Sequence, residues 1–253
     1  MIRMIHAAAA AAICTAVAPA LSAPASQSRD IDARVVRVKL DGVIDLKLRQ
    51  GPVARLVISG DDGWLGRTSA EQQGDTLTIG TESGSIKLGK GGTGLHAELT
   101  LPQLREMVSH GFGATDISGF SGAALDLSLE GAGSIKFDGS YKQINATLCG
   151  VGSMQLRGLN AEAVRVQVPG AGYVTLSGRA GSLRASLDGL GGLDAQQFQA
   201  DNVDLDMAGL GNASVYALRR ANLNLSGMGS VAIYGKPAQR NVSVEGLGRV
   251  SWK

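Results

Sequence analysis

The 253-residue chain carries 24 Lys+Arg against 22 Asp+Glu, and neither sign forms a block, so no basic footprint for nucleic acid or an anionic membrane is present. Glycine is abundant at 36 residues while aromatics make up only 4%, which argues against a core of bulky rings and for many tight turns. The glycines keep no three-residue period, which excludes collagen.

The N-terminus opens on a short basic start, Met1-Ile2-Arg3, followed by an almost wholly Ala, Ile and Val stretch over residues 5–17 and small residues over 18–25. That order predicts a secretory signal peptide over residues 1–23, cut after Ala23, with Ala20 and Ala25 as alternative sites. The apolar run is too short to span a membrane, and no later stretch reaches 18 apolar residues. Cys14 leaves with the leader, so Cys149 becomes the only cysteine and no internal disulfide can form. Residues 24–32 read as a disordered lead, and residues 33–253 as one domain. The leader predicts export and leaves periplasm and cell surface as open alternatives.

Residues 33–110 read as an irregular β-rich part. Short alternating strands are expected over 34–40, 43–48 and 53–58, around Asp41-Gly42 and Gly51-Pro52, with two more over 77–79 and 95–101. Residues 61–70 suit a short helix or irregular turn around Trp64. Residues 83–91 superficially resemble a phosphate-binding loop, but Gly91 follows Gly89-Lys90 where that motif needs Ser or Thr, and a surface loop is the preferred reading.

From residue 111 the chain repeats. Gly-x-Gly occurs at Gly111/Gly113, Gly131/Gly133, Gly150/Gly152, Gly170/Gly172, Gly189/Gly191, Gly209/Gly211, Gly227/Gly229 and Gly246/Gly248, at intervals of 18 to 20 residues. Two apolar positions, two apart, follow each second glycine: Ile135/Phe137, Met154/Leu156, Val174/Leu176, Leu193/Ala195, Ala213/Val215, Val231/Ile233 and Val250/Trp252, with Thr115/Ile117 in the first unit. A second alternating run leads into the next unit, as in Leu125-x-Leu127-x-Leu129 and Val164-x-Val166-x-Val168. Period-two alternation is a strand with one buried face. Two short strands and two glycine turns per unit predict one rung of a parallel β-solenoid, with Ile135, Phe137, Met154, Leu156, Val174, Leu176, Val215 and Ile233 stacking in core ladders. The glycines would serve corners of positive φ, or places where stacked backbones leave no room for Cβ.

The segment Leu101-Pro102-Gln103-Leu104 leading to Gly111-Phe112-Gly113, and the run of Gly-x-Gly units after it, resembles the GIN domain over residues 33 to 250. That family is labelled as an adhesin head of autotransporters and is otherwise of unknown function. The resemblance implies a right-handed β-helix-like fold in the cell envelope, and no catalytic residues. No run of ten-residue alternating strands for a membrane barrel follows residue 253, so a complete autotransporter is not expected.

Asp204 and Asp206 could take calcium, although the repeat is about twice the length of calcium-binding nonapeptides and solvated carboxylates are the preferred reading. His96 and His110 stand without Cys or Glu at metal-ligand spacing, and no metal or other cofactor is expected. Cys149 fills a corner slot taken by Glu130, Pro169, Asp188 and Glu245 in other units, with no histidine to activate it. Arg165 and Arg184 align one rung apart on an outer face, where they could touch an anionic glycan; a solvated basic pair is preferred. The leading expectation is a non-catalytic binding or adhesion scaffold with a glycan or protein ligand. The alternatives are a module that self-associates through its C-terminal rung, and a carbohydrate-active enzyme, which a groove gathering two or more carboxylates would favour.

Overall fold

The computed structural model describes residues 25–81 and 94–253. The expected leader, with Cys14 and the expected cleavage after Ala23, and residues 83–91, read as a surface loop, lie outside the described residues. Seventeen strands join in one continuous sheet, with a single short helix among the described residues.

The repeat becomes six long strands: β9 (Phe112–Leu129), β10 (Ala132–Leu148), β11 (Val151–Val168), β12 (Ala171–Leu187), β13 (Leu190–Met207) and β14 (Leu210–Leu225). Each bends once near its middle, where the register shifts, and so supplies both sides of a rung. Successive strands pair in parallel, with Gly133 opposite Gly152, Gly172 opposite Gly191, and Gly211 opposite Gly229. The stack then closes with β15 (Met228–Tyr234), β16 (Gln239–Val244) and β17 (Arg249–Trp252). It amounts to a β-solenoid of about 7 turns.

Parallel, in-register stacking puts each inward residue above its counterpart. Ile135, Met154 and Val174 form one buried ladder, and Phe137, Leu156 and Leu176 another. Val215 and Ile233 continue the second ladder and are also buried. The other half of each rung adds Leu127, Ala146, Val166, Ala185, Leu205 and Leu223. Fully burying such an aliphatic side chain contributes roughly 1.5–3 kcal/mol, which is why many rungs are needed to offset the ordering of the backbone. Phe120, Tyr141, Leu159, Ala180, Phe198, Ala200 and Ala217 lie buried around the bend between the two halves, and they vary too much in size and register to read as a repeat.

The paired glycines answer a steric demand more than a conformational one. Of the sixteen, only Gly113, Gly152 and Gly246 hold a φ of positive sign. Within the stack the space for a Cβ is taken by the rung before: at Gly131 by the Gly111 carbonyl oxygen, at Gly191 by that of Gly172, and at Gly211 by that of Gly191.

The N-terminal part extends the stack beyond the first repeat unit. It contains β1 (Ala25–Asp30), β2 (Arg37–Asp41), β3 (Asp45–Gln50), β4 (Arg55–Gly60), α1 (Asp62–Leu65), β5 (Thr68–Gln73), β6 (Thr76–Thr81), β7 (His96–Leu101) and β8 (Glu106–Ser109). Strands β3 and β8 pair in parallel with the two halves of β9, and β7, β2 and β6 continue outward. Gly42 lies beside Gly111 as the glycines of later rungs do, and Val43 bridges to Phe112. The outermost strands then turn antiparallel: β4 on β7, β1 on β4, and β5 on β6.

Two expectations are corrected here, and one is narrowed. Residues 25–30, read as part of a disordered lead, form β1, because the free edge of β4 offers backbone partners to a segment with no apolar pattern. The short helix or irregular turn expected within 61–70 is a single helical turn, held by the Asp61 carbonyl accepting from the Trp64 and Leu65 N–H groups at 2.9 and 3.0 Å; β5 begins at Thr68. Gly248, read as a repeat glycine like the other fifteen, does not share their close packing. A Cβ there would stand 3.2 Å from Leu225 Cδ2 and 3.4 Å from the Gly229 carbonyl oxygen, with no positive φ to exclude a side chain. The reason is that pairing of β17 with β15 begins only at Arg249 opposite Ser230, so no ladder bond draws the Gly248 backbone down onto the rung beneath.

Candidate binding surface

Outward residues stack as strictly as inward ones. Along the second half of the rungs, one row runs Glu106, Asp126, Asn145, Arg165, Arg184, Asp204, Asn222 and Asn241. Its members hydrogen-bond along the stack. The Asn145 amide donates to Asp126 at 2.7 Å, Asn222 donates to Asp204 at 2.7 Å, and Asn241 donates to the Asn222 oxygen at 2.9 Å. A second row beside it runs Ser128, Thr147, Gln167, Ser186, Asp206, Asn224 and Ser243. A groove of 530 Å³ runs between the two rows from Asp204 and Asp206 to Asn241 and Ser243, and one of 310 Å³ lies along the other side of the first row against Gln143, Ala163 and Ser182. They share Arg184 and Asp204 and so adjoin as one trough. This arrangement presents amides, carboxylates, hydroxyls and guanidiniums on a flat, pre-ordered surface, the chemistry that reads polyhydroxylated or charged ligands.

A different surface runs along the Gly-x-Gly corner. The central residues Phe112, Ala132, Val151, Ala171, Leu190, Leu210 and Met228 pair in series into one apolar ridge. Its large members are 46 to 62% exposed. The Gly-x-Gly motif marks these positions, and the residue between its glycines is apolar in every unit, although its size varies.

Carboxylates gather in two places. Asp204 and Asp206 share the trough, with Arg184 3.7 Å from Asp204 and the Asn222 amide bonded to it. Asp45, Glu98 and Asp116 share a second groove with His96, whose Nδ1 lies 3.7 Å from Asp45. Both sets lie on the outside of the sheet, and the Asp45, Glu98 and His96 side chains are half or more exposed. They therefore lack the dry, enclosed setting in which acid–base catalysis tunes paired carboxylates.

The remaining sequence candidates are spread over the molecule. His110 bridges Asp41 at 2.8 Å and Glu130 at 3.1 Å, fastening the N-terminal part to the first two rungs of the repeat. Cys149 is exposed at its corner, between the Glu130 and Pro169 positions of adjacent rungs. Among the described residues no group of three or more His, Cys, Asp or Glu is placed to hold a metal ion, and no helix is long and apolar enough to cross a membrane.

Fold and surface together define a β-solenoid scaffold that offers long, regular faces for binding. Residues 36–237 match the family model described as "Putative auto-transporter adhesin, head GIN domain", and the chain belongs to that family. Solved structures of similar fold include a "putative adhesin" from Parabacteroides distasonis, 18% identical with a TM-score of 0.81 over 92% of this chain and 98% of that one. Another from Parabacteroides merdae is 18% identical with a TM-score of 0.80, over 91% and 96%. A "Putative lipid binding protein" from Parabacteroides distasonis is 18% identical with a TM-score of 0.76, over 90% and 96%. At these identities the likeness is one of fold. No curated protein matches the chain.

Proposed function

We propose that the protein is a non-catalytic binding scaffold of the cell envelope, and that it holds its ligand along the trough on the second-half face. The observation that carries this reading is the in-register polar row from Asp126 to Asn241, whose two ends, Asp126–Asn145 and Asp204–Asn222–Asn241, are pre-ordered by hydrogen bonds at 2.7–2.9 Å. Groups fixed before binding lose little entropy when a ligand arrives. An envelope location is supported by the family's description and by the leader over residues 1–23. The carboxylates on open faces favour binding over catalysis.

Filling the trough with bulk tests the reading. Beads coated with the chain lacking residues 1–23 are expected to adhere to surfaces bearing envelope polysaccharides or envelope proteins. The paired substitutions Asn224→Trp and Ser243→Trp should abolish adherence, while Lys136→Trp on the other face should leave it intact. Equal adherence by all three proteins would sink the proposal.

A second reading, self-association, is favoured by one observation. Val242 and Val244 of β16 stand beside Leu223 and Leu225 yet are 42 and 43% exposed. A second copy covering them would give a sedimentation coefficient that rises with concentration and stops doing so in Val242→Lys; a concentration-independent monomer would exclude it.

A further inference from the structure

We propose that Arg165 and Arg184 form an anion-binding site at the centre of the trough, taking the carboxylate or sulfate of an acidic polysaccharide whose hydroxyls meet the neighbouring amide rows. This deepens the binding reading above and rests on it. The argument begins with pairing. Arg165 on β11 and Arg184 on β12 are Cα partners in a parallel ladder, so their side chains leave the same face one strand spacing apart, about 4.8 Å. Like charges placed directly opposite one another across strands are destabilising. The carboxylates of neighbouring rungs are hydrogen-bonded by neutral amides: Asp126 accepts from Asn145, and Asp204 accepts from Asn222.

The arginines are compensated less. Arg184 reaches Asp204 at 3.7 Å with its side chain 62% exposed, a loose contact in high dielectric. Arg165 has neither hydrogen bond nor ion pair among the described residues. The two cations therefore have a single carboxylate contact between them, Arg184 with Asp204, in the groove lined by Gln143, Asn145, Ser182 and Asp204. Guanidinium forks bind planar carboxylate and sulfate oxygens in pairs, and two forks at this spacing can grip one anion from both sides.

The surroundings choose the ligand that carries the anion. Beyond the arginines the rows pass the Asp204 and Asp206 carboxylates and then continue as Asn222, Asn224, Asn241 and Ser243, which donate to and accept from hydroxyls; the two carboxylates disfavour a second anion there. No aromatic side chain lines either groove, which removes the stacking platform that a single-stranded nucleic acid uses. A sugar chain whose acidic groups are separated by neutral residues fits this order of two cationic rungs, one rung of carboxylates and then neutral amide and hydroxyl rungs.

Titration of the chain lacking residues 1–23 with polygalacturonate, dextran sulfate, unmodified dextran, inorganic sulfate and single-stranded DNA tests the site. At least one of the two acidic polymers is expected to bind, more weakly as salt rises, and the Arg165→Gln/Arg184→Gln pair should weaken that binding about tenfold or more. Arg49→Gln, on β3, should leave it unchanged. Absence of binding by either acidic polymer, or undiminished binding by the double variant, would overturn the proposal. Inorganic sulfate or DNA binding as tightly as the polymers would also overturn it, in favour of a free-anion or a nucleic-acid site. Binding of unmodified dextran that is lost in Asn224→Trp/Ser243→Trp but kept in the arginine variants would defeat the anion site while leaving the trough as the binding face.

Discussion

Thr115 occupies an inner ladder position between Leu46 and Ile135, and its buried hydroxyl meets no hydrogen-bond partner. A buried polar group left unpaired costs about 1–3 kcal/mol. Thr115→Val keeps the shape and removes the hydroxyl, so it should stabilise the protein by about 1 kcal/mol in a chemical-denaturation curve; an unchanged or lowered midpoint would mean the hydroxyl is satisfied. Tyr141 shows the opposite case. Its hydroxyl donates to the Leu104 carbonyl at 2.7 Å, and burial pushes its pKa from 10.0 up to about 12. Between those values the unfolded chain gives up a proton that the folded chain keeps, so stability falls as pH rises from 10 to about 12 and is untouched by this group below. Tyr141→Phe loses one hydrogen bond, about 1 kcal/mol, but also loses this pH dependence. The stability gap between wild type and variant should therefore be widest near pH 8 and narrow at pH 11, and a constant gap would refute the assignment.

The rung is the element that repeats, and its glycines set its tolerance. Gly191→Ala would drive a methyl into the Gly172 carbonyl oxygen, a backbone atom that cannot rotate away. The expected loss is more than about 2 kcal/mol. Gly66→Ala meets open space and no positive φ, so it should be neutral or gain up to about 1 kcal/mol through the unfolded state. Comparable thermal midpoints for the two variants would remove the steric explanation. The rung was legible in the residues because inward positions must be apolar in every unit: the 18- to 20-residue spacing of Gly-x-Gly is also the offset at which Gly133, Gly152 and Gly172 pair. The same spacing misleads at Gly248, where the motif persists although the close stacking that demands it does not. The outer rows were far less legible. Asp126, Asn145 and Arg165 share no chemistry, and they become a row only once the stacking register places them side by side. The apolar ridge was in the pattern, since the middle residue of every Gly-x-Gly is apolar, but that these residues face outward emerges only with the stacking of Phe112, Ala132 and Val151 at the corner.

At the scale of the whole molecule, a parallel stack has two open ends, and an exposed strand edge invites pairing with another chain. The N-terminal end is closed by strands that change direction: β4 runs antiparallel to β7, and β1 then covers β4. Neither β1, Ala-Ser-Gln-Ser-Arg-Asp, nor β5, Thr-Ser-Ala-Glu-Gln-Gln, carries an alternating apolar pattern. Their order comes from backbone pairing and from ties such as Arg55 donating to Ser28 and Arg29 donating to the Thr68 carbonyl, each at 3.1 Å. Polar outer strands are what a capping role demands, because they add little apolar surface of their own. Removing residues 25–30 should therefore do two separable things. The melting temperature should fall by a few degrees, as six ladder residues and these ties are lost. The bared edge of β4, with its Val57 and Ile58 strand, should also pair with another copy, so light scattering should report association that grows with concentration. A shortened chain that stays monomeric and melts like the longer one would show that the end of the stack needs no cover. A chain that melts earlier but stays monomeric would separate the stabilising role of β1 from its role in blocking the edge.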